Sequence, residues 1–124
     1  MTMQSELRAC LLPVVTGGVH FAVLPLGAIP VEASPDRAGW SAIVLPVDIA
    51  TPDNTICGAS DLEDHRVQID LYCPSYGTIL TLRKQVFDAV EAQFPLATRL
   101  NDMADYDADL KLHRRIVEYS IPAE

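Results

Sequence analysis

Carboxylates recur at alternate positions in Asp105-Tyr106-Asp107-Ala108-Asp109, the spacing with which an EF-hand loop begins to surround calcium. The rest of that loop fails. Leu110 stands at the sixth position, where the sharp turn needs glycine, and Ile116 at the twelfth, where a bidentate glutamate belongs. The plainer reading is a solvated acidic turn. His20, His65 and His113, with Cys57 and Cys73, supply zinc-type ligands, but structural zinc is held by pairs at short spacing, and none occurs. Ser41 follows Gly39-Trp40, yet Ile43 occupies the position where a nucleophile elbow requires glycine. Gly17-Gly18 lacks the Lys-Ser/Thr of a phosphate loop. Seventeen carboxylates are present, and no spacing singles out an acid–base pair. The chain carries no catalytic motif, no metal-ligand pattern and no cofactor fingerprint.

The elements that position these residues begin with Arg66 to Phe94. Val67, Ile69, Leu71 and Cys73 alternate with Arg66, Gln68, Asp70 and Tyr72, the period of a half-buried strand. Pro74 ends it, having no N–H to give a neighbouring strand, and Ser75 is suited to cap a helix. From Ile79 the period lengthens. Ile79, Leu82, Val86, Ala89 or Val90, and Phe94 share a helical face, with Arg83, Lys84, Asp88 and Glu91 largely off it. Pro95 stops the helix.

Upstream, Ser5 to Val15 reads as a short helix that ends near Leu12 or kinks at Pro13. Val19 to Leu24 reads as a buried strand before a Pro/Gly connection, and Ala33 to Gly39 as a polar turn region. Trp40 to Ile49 reads as a second strand, with Pro46 pointing to an edge or a bulge. Ala50 to Asp64 reads as a long acidic hairpin loop. Downstream, Ala97 to Met103 suggests a strand, Asp102 to Asp109 an acidic turn, and Leu110 to Ile121 a closing strand. The expected fold is α+β. An antiparallel sheet of about four to five strands carries an N-terminal helix and one longer amphipathic helix, in a single domain over residues 1–124.

A formal charge of −8, from nine basic and seventeen acidic residues, argues against a grip on nucleic acid, which runs on Lys and Arg neutralising phosphates. Three cysteines without paired spacing argue against a disulfide framework and for a reducing compartment. Leu11 to Val31 holds no formal charge and has the length of a membrane span. Pro13, Gly17, Gly18, Pro25, Gly27, Pro30 and His20 break that reading. Glu6 spoils the basic start of a signal peptide.

The order of these signals resembles the phage tail-completion family, the small tail-terminator proteins of long-tailed phages and prophages. An N-terminal helix leads into Gly17-Gly18-Val19-His20-Phe21, then Val23-Leu24-Pro25-Leu26-Gly27-Ala28, similar to the family's strand and Pro-x-Gly connection. Trp40 to Ile49 is similar to the next strand, after a longer insert around Glu32 to Gly39. Arg66 to Cys73, followed by Ser75-Tyr76 and a helix, resembles the family's R-x-Q-(I/V)-D-x-(Y/W) strand and helix. Tyr106-Asp107-Ala108-Asp109 and Leu112-His113-Arg114-Arg115 resemble the acidic turn and (Y/H)-R-R segment that enter the last strand. Pro13 and the insert depart from the pattern.

The resemblance implies a non-enzymatic virion protein of the tail, assembled in the bacterial host cytoplasm. It implies a homo-oligomeric ring, typically a hexamer, that caps the tail tube, ends its polymerisation and joins it to the head connector. The implied partners are further copies of the chain, the tail-tube protein and the head–tail connector protein. DNA passes through without specific binding, and no membrane is involved. Acidic residues facing such a channel would repel phosphates. The candidate interface or lumen residues are Asp53, Asp61, Glu63 and Asp64 in the long loop, and Asp102, Asp105, Asp107 and Asp109 in the acidic turn. Lys84, Asp88 and Glu91 form either a solvated helix face with weak i,i+4 support or a subunit contact. The alternatives are a small cytoplasmic α+β ligand- or protein-binding domain unrelated to phage, and a small hydrolase with scattered carboxylates.

Overall fold

A computed structural model describes residues 3–31, 33–45 and 64–122. Helix α1 runs over Met3–Leu11 and continues as a single 3-10 turn, Leu12–Val14. Pro13 therefore falls beyond the α-helix, at the start of the tighter turn, where its missing N–H costs little. Strand β1 is Val19–Phe21, β2 Ala42–Leu45, β3 Asp64–Cys73, helix α2 Tyr76–Gln93, β4 Thr98–Asp107 and β5 Leu112–Pro122. The five strands form one sheet in the order β1-β2-β3-β5-β4.

The α+β class holds, with one correction to the expected antiparallel sheet. β1 pairs parallel to β2, Val19 opposite Ile43 and Phe21 opposite Leu45, and the other three pairings are antiparallel. A parallel pair needs a long return path, and residues 22–41 provide it, through single 3-10 turns at Leu26–Ala28 and Pro35–Arg37. β1 stops three residues short of Leu24. Ala22 takes a left-handed conformation, φ 73°, that no strand continues through. The glycine pair before β1 is required by both space and backbone. A Cβ on Gly17 would lie 2.5 Å from the Trp40 ring and 2.6 Å from the Ser41 carbonyl oxygen, while Gly18 has φ 86°. β2 ends among the described residues at Leu45. The expected strand residues 46–49, Pro46 included, and most of the Ala50 to Asp64 loop lie outside them.

Both helices lie on one face of the sheet. Val67, Ile69, Leu71 and Cys73 of β3 and Val117, Tyr119 and Ile121 of β5 point toward them and are buried. Leu7 and Leu11 of α1 and Ile79, Leu82, Val86, Phe87 and Val90 of α2 close that core. Ser75 caps α2 by accepting from the Thr78 N–H, and the helix ends at Phe94, before Pro95. Truncating one of these buried aliphatic side chains to alanine removes about 2–5 kcal/mol. The opposite face is covered at one end by the 22–41 crossover, where Trp40, Ala42 and Leu112 form a second small core packed by Leu24, Ile29, Tyr72 and Leu110. Arg37 ties the crossover down, donating to the Pro30, Leu110 and Lys111 carbonyls at 2.9 Å. The uncharged stretch from Leu11 to Val31 is thus divided among a helix end, a short strand and turns. No helix among the described residues is long and apolar enough to cross a membrane.

Candidate functional site

β4 is where the structure departs furthest from the expected turn. Asp102, Asp105 and Asp107 belong to a ten-residue edge strand that pairs with β5 from Thr98–Ser120 to Asp107–Leu112. Only Asp109 remains in the connecting turn. The register slips between Arg99 and Asn101, leaving Leu100 as a bulge. Eight of the ten β4 residues are exposed, so apolar alternation had nothing to report there. Charge holds the strand instead.

The registers place Arg99, Asp102, Ala104 and Tyr106 on the helix side, beside Tyr119, Val117, Arg115 and His113 of β5. Asp102 receives Arg83 of α2 at 2.5 Å and Arg115 of β5 at 2.6 Å, so one carboxylate joins helix to sheet. Burial raises the pKa of Asp102, but the bonds and charges of Arg115 and Arg83 outweigh it and hold the carboxyl below the usual range. About two turns along α2 from Arg83, Glu91 accepts from the Tyr119 hydroxyl at 2.8 Å and pairs with Arg99 at 3.0 Å. The Phe87 ring lies between the guanidiniums of Arg83 and Arg99, 4.5 and 4.3 Å from its centroid. On the other face, Arg114 donates to Asp70 at 2.7 Å and lies 3.5 Å from Asp105. Asp107 accepts from the Leu110 N–H at 3.0 Å and stabilises the turn into β5.

Adjacent residues of a strand face opposite ways. The Arg114-Arg115 doublet therefore serves two separate carboxylate sites, one on each face, instead of one basic patch. That doublet, set two residues before the apolar run of β5, was the available sequence signal for these contacts. Its partners Asp70, Asp102 and Asp105 are distant in the chain and could not be matched to it. Glu91 is bound to Tyr119 and Arg99 and does not belong to a free helix face, whereas Lys84 and Asp88 are exposed. Asp53, Asp61 and Glu63 lie outside the described residues, and of Asp64 only its place at the start of β3 is described.

Where α2 begins, Tyr76, Ile79, Ala104, Tyr106 and His113 line a groove of about 340 Å³ beside β4. The His113 ring meets Tyr106 and Tyr76 edge-on, with centroids 4.9 and 5.7 Å apart. His20 contacts the Gly17 carbonyl oxygen at 2.8 Å. Among the described residues no three His, Cys, Asp or Glu side chains gather as a metal site would require. Burial pushes the Cys10 thiol up to about 11 and raises Cys73 as well, so neither is a thiolate near neutral pH. These side chains fasten an edge strand, and among the described residues no strand pairs with its outer edge.

No curated protein matches the chain. A family model described as Tail completion protein gp17 matches residues 6–123, from the first turn of α1 past the end of β5. The chain belongs to that phage tail-completion family.

Proposed function

We propose that this protein is a structural component of the virion that caps the tail tube as a ring, typically a hexamer, ends tail polymerisation and joins the tail to the head connector. The observation that carries this reading is the family match over residues 6–123, and it favours a tail protein over a binding domain unrelated to phage. The fold supports it. Among the described residues β4 ends the sheet with an unpaired strand edge ten residues long, a surface suited to subunit contact. A capping ring needs contact surfaces more than reactive groups, and the ionic side chains described above are engaged in holding β4. The tail-tube protein and the connector are the proposed further partners.

The channel hypothesis changes in detail. Asp102 is held by two arginines, so its charge is spent within the subunit, whereas Asp105 shares Arg114 with Asp70 and keeps an exposed side chain. Repulsion of passing DNA then falls to Asp105, Asp109 and the acidic positions 53, 61 and 63. Reversing Asp109 and Asp61 to Lys should slow DNA ejection without unfolding the chain, and unchanged ejection would count against a lumen role. Deleting the gene tests the larger reading. Electron microscopy should show filled heads and unattached tails, with tails of uneven length, restored to whole virions by the gene supplied in trans. Normal virions after deletion would exclude the proposed role.

A further inference from the structure

We infer that neighbouring copies of this chain join edge to edge, β1 of one copy adding antiparallel to β4 of the next, with Phe21 seated over Ala104. The inference rests on the ring reading above and specifies its contact. β1 and β4 are the two ends of the sheet, and among the described residues neither has a second strand beside it. Natural edges are blunted by lysine, proline or bulges. β1 and β4 contain no lysine and no proline, and the register slip in β4 lies between Arg99 and Asn101, before the regular stretch from Asn101 to Asp107. After β1 the crossover runs back over Ala42, Tyr72 and Leu112, away from the outer edge.

The two edges match in direction and in backbone polarity. β1 and β2 are parallel and every other pairing is antiparallel, so β4 runs against β1. A half-turn about the normal to the sheet relates the two edges and keeps the helices on one side. Along a strand, the N–H and C=O of successive residues point to alternate sides. Gly18 accepts from Ile43 and Ala22 donates to Leu45, both across to β2, so Val19 and Phe21 direct theirs to the outer edge. By the same half-turn Asp102, Ala104 and Tyr106, which share the helix side with Val19 and Phe21, direct theirs outward from β4. A hydrogen-bonded antiparallel ladder can therefore form with the helices of both copies on one side. Pairing β4 with itself would set its carboxylates Asp102, Asp105 and Asp107 against their own copies, an unfavourable meeting of like charges. β1 carries no formal charge.

Side chains fix the register. Opposite Asp102, Phe21 would press its ring on a carboxylate already held by two arginines. Opposite Tyr106, it would leave Val19 beyond the end of β4. Opposite Ala104, the Phe21 ring, 38% exposed in the single copy, enters the groove beside β4, where Ala104 is the smallest side chain among Tyr76, Ile79 and Tyr106. Asp105 and Arg114 line the same groove from the face without helices, and there this register sets His20 opposite Asp105. Asp105 shares Arg114 with Asp70, so its carboxylate keeps acceptor capacity for the imidazole. Each copy uses two different edges, and a heterologous contact of this kind closes into a ring when its rotation permits.

Cysteine pairing tests the contact. Hydrogen-bonded partners across antiparallel strands have Cα atoms about 5.5 Å apart, within reach of a disulfide. The chain carrying both Phe21→Cys and Ala104→Cys, concentrated alone or assembled on purified tail tubes and mildly oxidised, should yield covalent oligomers beyond the dimer in denaturing electrophoresis. Each single variant should give only the wild-type background, and an equimolar mixture of the two should add a dimer and nothing larger. Phe21→Ser, with its unfolding temperature checked against the wild type, should associate at least about tenfold more weakly in sedimentation. Assembly of the double variant without cross-links, self-linking of Ala104→Cys alone, or wild-type association by Phe21→Ser would overturn the contact while leaving the ring reading standing. A wild type that never self-associates, even on tubes, would end both.

Discussion

Strands β3 and β4 are each ten residues long and both pair through β5, yet opposite forces hold them. β3 lies inside the sheet, and its helix-facing residues Val67, Ile69, Leu71 and Cys73 are all nearly inaccessible. β4 lies at the edge with no helix over it, fixed by Asp102 to Arg83 and Arg115, by Asp105 to Arg114 and by Arg99 to Glu91. Burial is non-directional and leaves an alternating apolar stripe. Ion pairing needs a specific partner elsewhere in the chain and leaves only a scatter of charges. β3 is paired on both sides, whereas among the described residues no strand pairs with the outer edge of β4.

The largest effect should come from the buried strand. Leu71→Ala removes a fully buried side chain and should cost about 2–5 kcal/mol in denaturant unfolding. A loss below about 1 kcal/mol would mean that β3 does not anchor the core. Disconnecting β4 should cost less. Arg115→Ala deprives Asp102 of one of two charged donors and should cost about 1–3 kcal/mol, with hydrogen exchange rising first in β4 amides. Uniform exchange across β3 and β4 would show that the edge is not separately fastened.

The ionic clasp also has a pH signature. The Asp102 carboxyl is depressed in the folded chain, so its contribution is complete above the ordinary carboxylate value near ~4 and is lost as pH falls through the lower folded value. Asp102→Asn should flatten that part of the acid limb, and an acid limb identical to wild type would contradict the clasp. Tyr119 behaves in the opposite sense. Burial and the bond to Glu91 raise its pKa, so its contribution is present below about pH 10 and is lost as pH rises beyond. Tyr119→Phe should cost about 1 kcal/mol at neutral pH and remove that alkaline loss. The smallest effect belongs to the exposed face of α2, where Lys84→Ala should change stability by less than about 0.5 kcal/mol.

These contrasts explain how much of the fold was legible in the sequence. The alternation in Arg66 to Cys73, the Ser75 cap and the helical stripe through Ile79, Leu82, Val86 and Val90 are written in residue types because burial selected them. The parallel β1–β2 pair was not legible, since period two is common to parallel and antiparallel strands. The first half of β4 falls within the expected strand Ala97 to Met103, while its second half reads as a turn because Asp102, Asp105 and Asp107 are turn-prone and nothing local announces the arginine partners of Asp102 and Asp105. Of the candidate residues, Asp109, Lys84 and Asp88 sit where the sequence suggested, on the turn and the outer helix surface. Asp102, Asp105 and Glu91 proved to be internal ties. The groove of Tyr76, Tyr106 and His113 draws on three separate elements, and no single stretch of sequence contains it.

The central claim concerns place and form, and imaging of intact virions by electron cryo-microscopy tests it directly. A ring of this fold between the last tail-tube layer and the head connector is the expected result, with β4 turned toward the neighbouring subunit. Density for this chain elsewhere in the particle, or as isolated subunits at the junction, would contradict it.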